Sequence, residues 1–70
     1  MIVYSKVNCP YCVKVKEFLD SKGYDYNVVD VTEDGVRDFL ISKGHRTIPQ
    51  VYTKDGIYIG DCDTTIKELS

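Results

Sequence analysis

No stretch of this sequence approaches the roughly 20 apolar residues that a membrane-crossing helix needs, so no membrane span is expected. The opening Met1-Ile2-Val3-Tyr4-Ser5-Lys6 lacks the charged start and long apolar run of a secretory leader, and none is expected. Positive charge is not in excess. Nine Lys and Arg stand against 11 Asp and Glu, a net charge of -2, which leaves no basic footprint for nucleic acid. Repeats, low-complexity tracts and linkers are also missing, so residues 1–70 read as a single domain. A domain of this size buries only about 60% of the surface its unfolded chain exposes, which predicts a thin stability margin.

Cysteine is scarce in an informative way. There are three, an odd number, where a disulfide-stapled secreted domain usually has an even count. Two of them form Cys9-Pro10-Tyr11-Cys12, too close to staple distant parts of the chain. Chain entropy gives a bridge over so short a loop only about 2 kcal/mol, against nearly 5 for a loop of a hundred residues. Such a bridge suits making and breaking. The expectation is a reducing, cytoplasmic compartment with cysteines kept for chemistry.

What is present alternates between strand and helix signals. Met1–Tyr4 is short, apolar and β-prone. Pro10 suits the first turn of a helix that runs through Val15 and Leu19 to Lys22, with Gly23 as stop. Asp25–Val31 reads as a second strand, parallel to the first because a helix connects them. Thr32 or Asp34 is expected to cap a second helix with Val36, Phe39 and Leu40 on its apolar face, closed by Gly44. Ile48–Thr53 and Ile57–Ile59 flank Lys54-Asp55-Gly56 and read as an antiparallel hairpin. Asp63 is expected to cap a last helix over Thr64–Leu69. The predicted fold class is α/β, in the order βαβαββα, with a four-stranded mixed sheet flanked by helices.

A single C-x-x-C is either a redox pair or half a zinc site, and its setting after a strand and at a helix start favours the redox reading. Helix N-termini carry unpaired N–H groups and roughly half a positive charge, which stabilises a thiolate at Cys9. Cys12 follows three residues later on the same helix face, within bridging reach and deeper in the helix. Cys9 is therefore the expected attacking thiolate, Cys12 the resolving thiol, and Cys9–Cys12 the redox-active disulfide. Zinc would need further ligands, and only Cys62 and His45 are obvious candidates, so no metal site is expected. Cys62 reads as a small buried hydrophobe. His45 reads as a loop residue, and Tyr24, Tyr26, Tyr52 and Tyr58 as packing.

Taken together, Tyr4-Ser5-Lys6, Cys9-Pro10-Tyr11-Cys12, Thr47-Ile48-Pro49-Gln50-Val51 and Gly60-Asp61-Cys62-Asp63 resemble a glutaredoxin of the dithiol type in its short form, across essentially the whole chain. The resemblance implies a thioredoxin-like fold and glutathione as co-substrate, with no permanently bound cofactor. It implies that Pro49 is cis and lies beside the dithiol. It implies a glutathione site in which Lys6 meets the glycine carboxylate, Tyr11 flanks the tripeptide and Thr47 fits the pattern. In the same site Ile48 pairs through its backbone as an added strand would, Asp63 lies near the γ-glutamyl end, and Cys62 is counted among the site's residues. Arg37 falls close to a second carboxylate contact. One departure stands out: the family's usual Gly-Gly is here Gly60-Asp61.

The expected activity is reduction of protein disulfides and glutathione mixed disulfides by a monomer. One alternative keeps the chemistry but recharges the dithiol from thioredoxin reductase and serves ribonucleotide reductase. A second, of another class, is a metal or iron–sulfur carrier.

Overall fold

The computed structural model describes all 70 residues. Their order is β1 (Ile2–Ser5), α1 (Pro10–Ser21), β2 (Asn27–Asp30), α2 (Val36–Ser42), β3 (Gln50–Tyr52), β4 (Tyr58–Gly60) and α3 (Cys62–Leu69). The four strands form one sheet in the order β2-β1-β3-β4. β1 pairs with β2 in parallel, while β1 with β3 and β3 with β4 are antiparallel. The βαβαββα order and the mixed sheet match the expectation from sequence.

Strand alternation sorts the side chains onto two faces. Val3 and Val51 point to one face, where Val15 and Leu19 of α1 and Cys62 of α3 complete the core. Tyr4 and Tyr52 point to the other, where Phe39 of α2 packs against them at ring distances of 5.5 and 6.1 Å. The Cys9/Cys12 pair lies where β1 has stopped and α1 begins. Asn8, with φ of 62°, makes the turn there. Asparagine tolerates this left-handed conformation better than other non-glycine residues.

Four expectations about element ends are corrected. β2 spans only Asn27–Asp30, an edge strand paired to β1 alone. α2 has no side-chain cap. Its N-cap is Gly35, with φ of 81°. Thr32 lies three residues before that cap, in a turn where its N–H and hydroxyl donate to Asp30 Oδ1 at 2.8 and 2.7 Å. β3 starts at Gln50 and not Ile48, since Pro49 has no N–H to give the ladder. α3 starts at Cys62 and not Thr64, because Asp61 is the cap: its carboxylate accepts from the Thr64 N–H at 2.9 Å. Gly60 before it must be glycine. Its φ is 154°, and a Cβ there would lie 2.5 Å from Thr64 Cβ and Cγ2.

Candidate functional site

The site is built on the start of α1. Cys9 is the N-cap and Pro10 follows in the first turn, where its missing N–H costs nothing. The Cys12 N–H donates to Cys9 Sγ at 3.3 Å. The helix thus directs one of its free donors at the sulfur expected to attack. Cys9 is partly exposed and Cys12 is fully buried. Burial is the main force pushing the Cys12 thiol from 9.0 up to about 11, and Cys9 adds to it through a hydrogen bond and its charge. The Lys6 backbone and the Lys16 ammonium act in the opposite direction. The two cysteines therefore differ as expected: one is accessible, the other withdrawn and protonated.

Cys62 is 3% exposed and its thiol belongs to the core. Burial is the first cause raising its pKa, and Asp63, Asp61 and Cys9 act the same way against Lys14. Its side chain is therefore not offered to a ligand. The N–H groups of Cys62 and Asp63 are a different matter. They lie in the first turn of α3, where no intrahelical acceptor exists. Asp63 is exposed in that turn and is not the cap. Asp61 takes up the Gly-Gly departure without conflict, in an extended conformation that any residue adopts. The Thr64 N–H, then the Thr64 hydroxyl, hold its carboxyl below the usual value.

Lys6, Arg37, Thr47 and Ile48 come together along an open groove of about 1030 Å³. His45 and Arg46 also line it, as do Glu33, Asp34 and Asp38. Tyr11, 58% exposed, and Asp63 lie outside its walls. Pro49 is fully buried at the head of β3, and the Ile48-Pro49 peptide is cis. No three His, Cys, Asp or Glu side chains converge as a metal set would. His45, read from sequence as a plain loop residue, has a partner: its Nε2 lies 2.6 Å from the Tyr52 hydroxyl. Nothing in the sequence spacing signals that pair. The Asp61 cap did have a signal, because Cys62, Thr65, Ile66 and Leu69 recur at helical spacing beginning one residue after it.

A four-stranded mixed sheet with a dithiol at the N-terminus of its first helix defines a thioredoxin-like redox domain. The glutaredoxin family model matches residues 1–59, and the chain belongs to the glutaredoxin family, a family of thiol–disulfide oxidoreductases. A glutaredoxin of Ricinus communis is 43% identical over 75 residues, covering 100% of this chain and 72% of that protein. Glutaredoxin 1 of Rickettsia felis is 37% identical over 67 residues, covering 90% of this chain and 65% of that protein. The crystal structure of the buckwheat glutaredoxin–glutathione complex superposes with a TM-score of 0.80 at 32% identity, covering 97% of this chain and 66% of that one. The chain spans about two thirds of the length of curated relatives such as the Rickettsia proteins.

Proposed function

We propose that this chain is a glutathione-dependent thiol–disulfide oxidoreductase acting on protein disulfides and glutathione mixed disulfides. The observation that carries the reading is the asymmetry of the dithiol, with Cys9 partly exposed at the helix N-cap and Cys12 fully buried behind it. Cys9 as thiolate attacks a substrate disulfide. A bond forms between Cys9 and one substrate sulfur, and the other sulfur leaves as thiolate and takes a proton. Cys12 then loses its proton and attacks the Cys9 sulfur. The Cys9–Cys12 bond forms, the remaining substrate sulfur departs, and two electrons have passed to the substrate. Two glutathione thiols reduce the bridge in two further exchanges and become glutathione disulfide. Glutaredoxin potentials of roughly −200 to −230 mV lie near the cytosolic glutathione poise, so the cycle runs either way.

The surroundings suit glutathione in charge and shape. Lys6 and Arg37 offer cations to a carboxylate on one side of the groove. The free N–H groups at the start of α3 suit the carboxylate at the other end of the peptide. The buckwheat protein was solved with glutathione, which supports the same ligand here.

Replacing Cys12 with Ser tests the mechanism. Removal of glutathione from a mixed disulfide needs only Cys9 and should persist, while reduction of a protein disulfide should be lost. Equal loss of both overturns the assignment. Reduction of the oxidised protein by glutathione, compared with NADPH plus thioredoxin reductase, tests the donor. Faster reduction by the reductase overturns glutathione dependence.

A further inference from the structure

Gln50 is a polar side chain in a buried place, only 3% exposed. Its amide nitrogen donates to the Thr47 carbonyl at 2.9 Å and lies 3.2 Å from the Thr47 hydroxyl. Its Oε1 accepts from the Tyr58 hydroxyl at 2.7 Å. A carbonyl can only accept, so the amide nitrogen must face Thr47. That leaves the amide oxygen toward Tyr58, and the phenol must donate. The direction of the whole chain of bonds is thereby fixed from Tyr58 through Gln50 to Thr47.

The Thr47–Ile48 peptide responds to this. In a trans peptide the C=O and the N–H point in opposite directions. The Thr47 carbonyl is turned toward Gln50, so the Ile48 N–H is turned away from it. That N–H has no acceptor in the chain, and Ile48 lines the groove. The same loop is held a second time, since the His45 ring lies 4.7 Å from the Tyr58 ring and its Nε2 meets the Tyr52 hydroxyl. The hairpin of β3 and β4 therefore grips the loop at His45 and at Thr47.

We propose that Gln50 and Tyr58 are positioning residues that hold the Ile48 N–H toward the groove as the donor for an extended peptide substrate. This rests on the glutathione reading above and adds to it the residues that aim the donor. Neither side chain touches the reacting sulfurs. Both act through the orientation of one peptide plane.

The test uses one peptide carrying its cysteine either as a glutathionyl or as a cysteinyl mixed disulfide. The native protein should prefer the glutathionyl form through a lower KM. Tyr58→Phe keeps the ring on His45 and removes only the hydroxyl. Its KM for the glutathionyl peptide should rise about three- to tenfold, the range set by one net hydrogen bond, with kcat little changed. Gln50→Leu should shift the same constant further in the same direction. If Gln50→Leu does not fold, Tyr58→Phe decides alone. A preference in the native protein that survives undiminished in Tyr58→Phe overturns the positioning role while leaving the glutathione reading intact. Equal losses on both peptides overturn it too, because they mark a general structural effect. No preference in the native protein overturns the glutathione reading and this inference with it.

Discussion

The backbone N–H of Cys12 donates to the sulfur of Cys9 across 3.3 Å, while the Cys12 side chain itself is fully buried. One residue therefore supports its partner with its main chain and waits with its thiol. The arrangement separates the two cysteines in access although only two residues lie between them.

The first prediction concerns access. Iodoacetamide in limited amount at neutral pH should label Cys9 before Cys12 or Cys62, as read by peptide mass spectrometry. Cys12 and Cys62 are 0% and 3% exposed and burial favours the thiol form of both. Cys9→Ser should be labelled at least about tenfold more slowly, because the thiolate is the nucleophile. Comparable labelling of Cys62 in the native protein would contradict its place in the core.

A second prediction concerns pH. The Cys12 thiol is pushed to about 11, chiefly by burial, so its thiolate is scarce at neutral pH. Once Cys9 is tied up in a mixed disulfide its charge is gone, but the burial remains. The resolving step should therefore quicken about tenfold per pH unit between 6 and 8, following the thiolate fraction. Stopped-flow release of substrate thiol from a preformed Cys9 mixed disulfide measures it. A rate that levels off below pH 8 would show that the buried thiol is not held in its protonated form.

The third concerns the cap of α3. Asp61→Ala should cost about 1 kcal/mol, since a lost N-cap leaves the Thr64 N–H without its partner. In a domain this small the melting temperature should fall by about 4–8 °C. Asp61→Asn should retain most of the stability. The Asp61 pKa is lowered in the folded state by the Thr64 N–H and hydroxyl. Its charge thus stabilises the fold above the ordinary carboxylate range, and that contribution is lost as pH falls through the depressed value. The difference between native protein and Asp61→Asn should close over that acidic window in thermal melts. A gap that widens on acidification would exclude the carboxylate as cap.

The sequence by itself determined the order of elements, the parallel β1–β2 pair, the hairpin and the placing of the Cys9/Cys12 pair at the start of the first helix. These are local matters: strand length, turn residues, a proline in a helix's first turn and a spacing of three are all read within short windows. It misplaced the caps of α2 and α3 for a related reason. Thr32 and Asp63 are both good caps in isolation, but α2 begins only at Val36, behind Gly35, and the apolar stripe of α3 begins at Cys62. Only the tertiary structure decided which residues share the groove, since Lys6 follows β1, Arg37 lies in α2 and Thr47 in the loop before β3. It alone joined Tyr58 to Gln50 and His45 to Tyr52. Those partners are seven or eight residues apart and meet because the loop before β3 folds back over a two-strand hairpin. The dithiol is a short-range feature of the chain; the groove that gathers Lys6, Arg37 and Thr47 is a long-range one.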